Sequence, residues 1–428
     1  MIINCKIFED TFAIADMDLE VNIRNDKSFT YTFWNKLRKF DQFYNSAALD
    51  MLYLSMFVFA SDRKVRREAA IDGWSRKLEL YIPVLELQLW EENKKLLESI
   101  VNFLSGDNWT FHFRQRDFSE EENNYRLKVE KSKLVPKQFD SICMFSGGLD
   151  SFIGAIDILQ TSKMKTMFVS HYGGGKGTKE YQDALKEMFI REYDVEDDDF
   201  YQFYASAKDG KEDSTRTRSF MFFAHAIVLA SALGKEKIDL VIPENGLISL
   251  NIPITNSRLG TSSTRTTHPY YMKLLQTLLF NLGLKIVLRN PYQFLTKGEM
   301  LLQCSNQGIL ASELHNTMSC SHPDQGRMRG ERKSCHCGYC LPCVIRKAAI
   351  KRAGFEDKSD YFDSLFMSGK TAKTNLNSYK LGLARFNPRY AFLSIQTSGK
   401  ITEKIEDFTD LYIRGMEEIK AYLEDLNE

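Results

Sequence analysis

The sequence lacks an excess of charge of either sign. Its 57 lysine and arginine residues balance 57 aspartate and glutamate residues, so the formal net charge at pH 7 is zero. A protein without a basic balance has no general electrostatic attraction for nucleic acid or for an anionic membrane surface. We therefore do not expect nucleic acid or a membrane among its partners.

A long apolar run is also missing. The most apolar stretch, residues 220–233, is too short to span a bilayer and contains His225, so we predict a buried helix there. Residues 1–6 show neither the basic region nor the apolar region of a signal peptide. Repeats and low-complexity tracts do not occur. These features favour a cytoplasmic protein.

The eight cysteines are unevenly distributed. Four of them lie between positions 335 and 343, and Cys337, Cys340 and Cys343 are separated by two-residue gaps, which is typical of a zinc knuckle rather than of a disulfide framework. Cys320 is the predicted fourth ligand. Such a site more often holds Zn²⁺ than an iron–sulfur cluster, and four thiolates leave no open position, so we expect the zinc to be structural. The alternatives for the fourth ligand are Cys335, His336 and His322.

Length and composition predict more than one domain. At 428 residues, 43% hydrophobic and 27% charged, the chain is long enough for two or three globular domains. We expect an N-terminal α+β accessory domain at 1–135, in which the aromatic runs form a core. A catalytic domain is expected at 138–354 and a helical extension at 355–428. The amphipathic pattern over 402–426 predicts a helix that docks on the body of the protein or on a second subunit of a homodimer.

The chain is organised around residues 146–151, Ser-Gly-Gly-Leu-Asp-Ser. They follow an apolar run at 142–145 and precede another at 152–156, an order that predicts strand, glycine turn and helix. Two glycines at the N-terminus of a helix let backbone N–H groups approach a phosphate. Asp150 would repel that phosphate unless it holds Mg²⁺ or positions the nucleotide. The spacing excludes a Walker A loop.

From residue 139 the pattern alternates between strands and helices. This alternation predicts a mostly parallel, doubly wound sheet, in which ligands bind at the carboxyl ends of the strands. Strands are predicted at 142–145, 164–170, 200–205, 238–243 and 284–289, and helices at 149–160, 177–192, 216–233, 267–282 and 296–307. The polar residues expected near those strand ends are Tyr172, Arg216, Arg218, Glu244, Asn245 and Lys297.

Taken together and in their order along the chain, the motifs resemble those of the 7-cyano-7-deazaguanine synthase family (QueC), and the resemblance covers about 140–352. The first motif alone is shared by the N-type ATP pyrophosphatases, whereas the ordered set with four cysteines is specific. The resemblance is carried by 146–151, Tyr172-Gly173, 216–220, Glu244-Asn245, Thr296-Lys297, Ser319-Cys320, and Cys337, Cys340 and Cys343 followed by Arg346.

The resemblance implies a PP-loop ATP pyrophosphatase fold and an ATP-dependent carbon–nitrogen ligase that releases AMP. Family members adenylate 7-carboxy-7-deazaguanine, and ammonia then attacks to give an amide and, with a second ATP, the nitrile. Zn²⁺ is bound through four cysteines that match Cys320, Cys337, Cys340 and Cys343. The implied ATP-binding residues are Ser146, Gly147, Gly148, Leu149 and Ser151, and Asp150 would act together with Mg²⁺. The candidates for neutralising phosphate or carboxylate charge are Arg216, Arg218 and Lys297. The implied substrate-binding residues are Tyr172, Glu244 and Asn245.

The chain departs from this family in three ways. Tyr172-Gly173-Gly174-Gly175 stands where the family has Tyr-Gly-Gln-Arg, and Pro243 replaces the glycine before Glu244. The insertion at 252–267 is polar and unfamiliar. The flanking segments make the chain longer than ordinary members and similar to the QueC-like proteins of bacterial anti-phage systems (QatC and type IV CBASS). There, an amine on a partner protein of the same operon is an alternative acceptor to ammonia.

Two other functions remain as alternatives. A PP-loop enzyme of tRNA sulfur transfer predicts catalytic cysteines beside the adenylate and a broad basic face, which the zero net charge disfavours. A non-enzymatic, nucleotide-sensing scaffold is disfavoured by the complete motif at 146–151.

Overall fold

The computed structural model describes residues 1–7, 10–23, 28–173, 176–214, 216–254, 265–328, 330 and 333–426. The strands are β1 (Ile2–Lys6), β2 (Leu19–Asn22), β3 (Phe29–Tyr31), β4 (Lys77–Val84), β5 (Asn108–Gln115), β6 (Ser141–Met144), β7 (Thr166–Tyr172), β8 (Phe200–Ala207), β9 (Ile238–Val241) and β10 (Ile286–Arg289). The helices are α1 (Ser46–Lys64), α2 (Leu87–Ser105), α3 (Glu120–Lys131), α4 (Leu149–Thr161), α5 (Lys176–Glu192), α6 (Arg218–Ser231), α7 (Gly246–Leu250), α8 (Pro269–Asn281), α9 (Lys297–Gln303), α10 (Gln307–Glu313), α11 (Gln325–Met328), α12 (Leu341–Ala353), α13 (Lys370–Arg385), α14 (Ala391–Ser394) and α15 (Ile405–Asp425).

In the described part of the chain the strands form two sheets. The smaller has the order β2-β1-β4-β5, and its neighbouring strands are parallel. The larger has the order β10-β9-β6-β7-β8-β3, with β3 antiparallel to β8. Helices alternate with strands from β6 onwards, as in doubly wound folds. The predicted α/β class is confirmed.

Helix boundaries differ from the predicted ones where local capping decides them. The helix expected at 216–233 begins at Arg218, and the one expected at 296–307 is two helices, α9 and α10. The break falls at Cys304, whose φ of −55° and ψ of 130° are not helical. Asn306 then accepts a hydrogen bond from the Ile309 amide and so caps the N-terminus of α10.

The chain divides into two compact units. The first comprises Met1–Ile142, Gln202–Leu240 and Tyr271–Leu288, and the second comprises Cys143–Tyr201, Val241–Tyr270 and Arg289–Glu428. The domain boundaries inferred from the sequence, at 135 and 355, stay predictions. The functional residues discussed below lie in the second unit, except Arg216 and Arg218.

The first unit buries its aromatic residues. Phe29, Trp109 and Phe111 are at most 2% exposed, so the aromatic runs form a core, as expected from the sequence. The apolar stretch at 220–233 forms the buried helix α6, in which His225 is fully buried. Among the described residues, no helix combines the length and the apolar character needed to cross a membrane.

The second unit has two apolar clusters. One surrounds the strand–turn–helix at 142–156 and includes Phe145, Phe152 and Phe168. The other joins α7, the cysteine-rich turn and α15, with Leu411 among its fully buried members. Of the predicted site residues, Leu149 belongs to the first cluster, and Cys337, Cys340 and Cys343 belong to the second.

Candidate functional site

The strand order places a topological switch point beside β6. The chain proceeds from β6 to β7 and β8 on one side, whereas β9 pairs on the other side of β6. In doubly wound sheets, ligands bind outside the carboxyl ends of the two strands that flank such a point. Residues 146–151 follow β6, and Glu244 and Asn245 follow β9. The fold therefore brings two of the predicted motifs to the same edge.

The glycine turn after β6 has a backbone that few residues other than glycine adopt. Gly147 has a φ of +82°, and a Cβ atom there would lie 3.0 Å from Cγ of Gln182. Gln182 itself donates hydrogen bonds to the carbonyls of Ser146 and His171, both at 3.1 Å. The sequence analysis missed Gln182, which holds the turn against α5.

The N-terminus of α4 faces the end of this turn without a side-chain cap. Its N-cap is Gly148, which has no side chain that could accept from the first-turn amides. The hydroxyls of Ser146 and Ser151 lie 3.1 Å apart beside it, and Ser151 donates to the Gly148 carbonyl at 3.0 Å. Helix N-termini with flanking hydroxyl groups bind anions, phosphates in particular.

A distant segment of the chain, Met318 and Ser319, supports the same turn. The Met318 amide donates to the Gly147 carbonyl at 2.8 Å, and the Leu149 amide donates to Oγ of Ser319 at 3.3 Å. The Ser319 amide in turn donates to Nε2 of the buried His336 at 3.4 Å. The residues next to Cys320 thus fix the conformation of the PP-loop.

Asp150 lies at the centre of a buried polar group. One carboxylate oxygen accepts from the Asn245 side chain at 2.7 Å and from its backbone amide at 3.2 Å. The other lies 2.8 Å from the Lys297 ammonium. Burial disfavours the charged form of Asp150, but Lys297 and the amides of Asn245 outweigh it and lower its pKa. The structure brings together these three predicted site residues, each at most 5% exposed.

The contacts of Asp150 bear on its predicted role with Mg²⁺. Magnesium requires oxygen ligands in octahedral geometry. Both oxygens of this carboxylate face donors, so a cation bound here would be repelled by the Lys297 ammonium. Magnesium binding at Asp150 stays a prediction.

Two predicted substrate-binding residues, Glu244 and Tyr172, are partly exposed. The backbone of Glu244 is held by Asn290, which donates to its carbonyl at 2.8 Å. The Tyr172 ring has the Lys179 ammonium 5.6 Å from its centroid. Asn245, by contrast, is fully buried and caps α7 by accepting from the Ile248 amide. Contact of these residues with a substrate stays a prediction.

The two predicted anion-binding arginines belong to the first unit. Arg216 is buried, donates to the Ser105 carbonyl at 2.6 Å and stacks over Trp74 at 4.7 Å. Arg218 is exposed at the start of α6. Their role in ATP binding is untested by these contacts and stays a prediction.

Four thiols form the candidate metal centre. The sulfur atoms of Cys320, Cys337, Cys340 and Cys343 lie within 4.8 Å of one another, with three separations of 3.4 to 3.9 Å. Tetrahedral zinc with Zn–S bonds of about 2.3 Å requires sulfur atoms about 3.8 Å apart. Backbone amides donate to Sγ of Cys320 and of Cys337 at 3.2 and 3.3 Å, which favours thiolates. The four residues fit a structural zinc ion.

The rival fourth ligands occupy other positions. Within the described residues, the group that could hold a metal comprises the four thiols alone, and neither Cys335 nor His322 is part of it. His336 instead accepts the Ser319 amide. Gly338 shapes the turn between two ligands: its φ is +87°, and a Cβ atom there would overlap the Asp363 carbonyl.

Two buried cationic side chains on α12 lie close to the four cysteines. Arg346 is fully buried and donates to Thr317 Oγ1 at 2.6 Å and to the Leu314 carbonyl at 2.7 Å. Lys347 donates to the carbonyls of Gly338 and Ser364. These partners are neutral oxygens, so four thiolates with zinc, of net charge −2, would supply the compensating charge.

Some residues discussed in the sequence analysis lie outside the described part of the chain. They are Gly174, Gly175 and positions 255–264 of the polar insertion.

The geometry defines a glycine turn at the start of α4, in a fold of the PP-loop class, together with four cysteines that could hold a metal ion. Comparison with known families is in agreement: residues 266–354 match the family model described as "Queuosine biosynthesis protein QueC". This stretch contains Lys297 and the four cysteines and is less than half of the chain, and it does not include residues 146–151. It supports a queuosine-type, ATP-dependent ligase. Neither the curated proteins nor the solved structures contain a match to the chain.

Proposed function

We propose that this protein is an AMP-forming ligase that adenylates the carboxylate of 7-carboxy-7-deazaguanine and transfers the acyl group to an amine. The observation that carries the proposal is the pairing of a PP-loop turn with the buried Asp150–Lys297–Asn245 group at the switch point. The family match over 266–354 supports the deazaguanine class of substrate. We place the enzyme in the cytoplasm, as part of an anti-phage system.

The chemistry explains why such a site is needed. A carboxylate is a poor electrophile, so one of its oxygens attacks the α-phosphorus of ATP, and pyrophosphate leaves. The amine nitrogen then attacks the acyl carbon, a proton is lost from nitrogen, and AMP leaves. Both steps depend on holding the two reactants in line and on neutralising negative charge.

The residues of this chain have distinct parts in that scheme. The amides of Asp150 and Ser151 in the first turn of α4 and the hydroxyls of Ser146 and Ser151 hold the pyrophosphate portion of ATP. Lys297 supplies the positive charge at this edge, and Asp150 and Asn245 hold it in place. Mg²⁺ would neutralise phosphate charge when bound with ATP. The four thiolates would hold a zinc ion, which would fix Cys320, and the neighbouring Met318 and Ser319 bond the turn.

The acceptor amine is ammonia or an amine on a partner protein encoded in the same operon. The sulfur atoms of Cys320, Cys337, Cys340 and Cys343 form one cluster that could hold a metal ion. This favours the ligase over a sulfur-transfer enzyme, because a sulfur carrier needs a thiol free to react beside the adenylate.

The test is a product analysis by mass spectrometry. The full chain is incubated with ATP, Mg²⁺ and 7-carboxy-7-deazaguanine, with either ammonium or the protein of a neighbouring gene. AMP with the nitrile or amide supports transfer to ammonia, and AMP with a mass increase on the partner supports protein modification. The absence of AMP with either acceptor would refute the proposal.

A matched pair of variants links the products to the turn. Ser151→Ala should reduce AMP formation by at least about tenfold, because its hydroxyl lies at the proposed phosphate site. Ser312→Ala serves as the control, since that hydroxyl bonds the Ile309 carbonyl on the surface of α10. Equal rates of AMP formation in the two variants would show that the glycine turn takes no part in the reaction.

A further inference from the structure

The C-terminal helix α15 reaches the helix that carries Lys297. Glu418, in the middle of α15, is 7% exposed, and its carboxylate accepts from Thr296 Oγ1 at 2.7 Å and from the Gly298 amide at 3.1 Å. These two residues flank Lys297 on both sides in the sequence. A carboxylate at a helix N-terminus takes up an unpaired amide and interacts favourably with the helix dipole.

Neighbouring charges hold Glu418 in this place. The Arg352 guanidinium lies 2.8 Å from the Glu418 carboxylate and 3.2 Å from Glu299. Arg414, one turn earlier on α15, lies 2.8 Å from Glu299. Glu299 also completes the capping box of α9 by accepting from the Thr296 amide. The start of α9 is therefore enclosed by a network in which α15 supplies two members.

The same face of α15 packs directly on α7, which starts after Asn245. A Cβ atom on Gly246 would overlap the Leu411 side chain, and one on Gly415 would lie 2.6 Å from Leu247. Residues 411, 415 and 418 follow the helical spacing of one face. Only glycine leaves room for so close an approach of the two helices.

These contacts converge on Asp150. Its two partners, Asn245 and Lys297, lie on separate segments that begin α7 and α9, and both segments are packed against α15. A shift of α15 would move both partners relative to the carboxylate. We infer that α15 is an integral part of the adenylation site and that Glu418 is a positioning residue that holds Lys297 against Asp150. The inference rests on the proposed function for its catalytic consequence.

The test combines kinetics with a measurement that does not depend on activity. Pulse labelling with acetic anhydride and mass spectrometry reports the reactivity of the Lys297 amine, which is 4% exposed. Glu418→Ala should label at Lys297 about tenfold faster than the parent protein and should lower kcat for AMP formation about tenfold, because two hydrogen bonds to a charged acceptor are lost. KM for ATP should change less than about twofold, since the phosphate-binding turn is untouched.

Two further variants make the result specific. Glu418→Gln keeps an oxygen acceptor but loses the charge that faces Arg352, so labelling and kcat should fall between those of the parent and of Glu418→Ala. Glu417→Ala, on the exposed side of the same helix, should match the parent in both.

The outcomes separate the two proposals. Protection of Lys297 in a folded Glu418→Ala protein, or an unchanged kcat, would overturn the positioning role. If the alanine variant does not fold, the same two measurements are made on Glu418→Gln. Labelling of Lys297 and a kcat that both equal those of the parent would then contradict the inference. A parent protein that forms no AMP would refute the proposed reaction, while the labelling would still decide whether Glu418 positions Lys297.

Discussion

The ion pair between Asp150 and Lys297 should couple these residues strongly in stability. Both side chains are buried, at 7% and 5% exposure, and their charged atoms are 2.8 Å apart. Asp150→Asn leaves the ammonium of Lys297 buried without its counter-charge, and Lys297→Met does the same to the carboxylate. Breaking a buried pair from one side destabilises a protein by about 3–5 kcal/mol.

Replacing both residues removes the uncompensated charge. The double variant should therefore lose much less stability than the sum of the two single variants. From the range for single changes we expect a coupling energy of about 2–3 kcal/mol. The pair formed by Lys186 and Asp197 is the matched control: its charged atoms lie 2.6 Å apart, but Asp197 is 62% exposed. Solvent screening should limit that coupling to less than about 1 kcal/mol.

The assay is urea denaturation of the parent protein and the three variants of each cycle, followed by far-UV circular dichroism, with the midpoint and slope fitted separately. All four tryptophans lie in the first unit, so their fluorescence reports that unit, whereas circular dichroism reports the whole chain. A coupling energy for Asp150 and Lys297 no larger than that of the surface pair would refute the reasoning. The ion pair would then contribute little to the native state, and Asp150 would be available for another role.

Three other predictions concern the turn, the metal and the first unit. Gly147→Ala should destabilise the protein by about 1–2 kcal/mol and reduce AMP formation, because its φ is +82°, whereas Gly308→Ala, with ordinary contacts, should not destabilise it; urea unfolding measures both. Cys343→Ser should lower the amount of bound zinc, measured by elemental analysis, and should speed hydrogen exchange in the glycine turn that Ser319 supports. Unchanged exchange would contradict the support of the turn by the cysteine cluster. Burial lowers the pKa of His225 to about 4, whereas the pKa in the unfolded chain is about 6.5. The free energy of unfolding should therefore fall by up to about 3 kcal/mol as the pH drops from 6.5 to 4. Tryptophan fluorescence should show a smaller loss in His225→Gln than in the parent.

The sequence predicts the elements and the chemistry of the site better than it predicts their contacts. The strand–turn–helix at 142–156 and the cysteine spacing follow from local periodicity and ligand geometry, and the structure has both. The sequence predicts Cys320 as the fourth member of the cluster but leaves three other residues compatible with the spacing, and the fold decides between them. The side-chain positions then separate the two: the sulfur of Cys320 lies with the other three thiols, whereas Nε2 of His336 accepts from the Ser319 amide.

Contacts between distant segments were beyond the reach of sequence patterns. Sequence patterns do not show which part of the site Gln182 or Glu418 contacts, and they place Ser319 next to Cys320 without showing that it bonds the glycine turn. The amphipathic pattern at 402–426 predicts a docked helix but not its target. A glutamate on the buried side of that pattern was the available signal, because a carboxylate there needs a partner.

The four-cysteine cluster and the helix α15 support different parts of the candidate site, and both belong to the second unit. The segment at Met318 and Ser319 holds the glycine turn from one side, and the cysteine cluster fixes that segment at Cys320. The helix α15 holds the partners of Asp150 from another side through Glu418 and Leu411. The proposed catalysis by positioning requires that the glycine turn and the Lys297 ammonium keep a fixed separation. Since the two are tied to different supports, a change in either support should lower the rate of adenylation without altering the residues that would touch ATP.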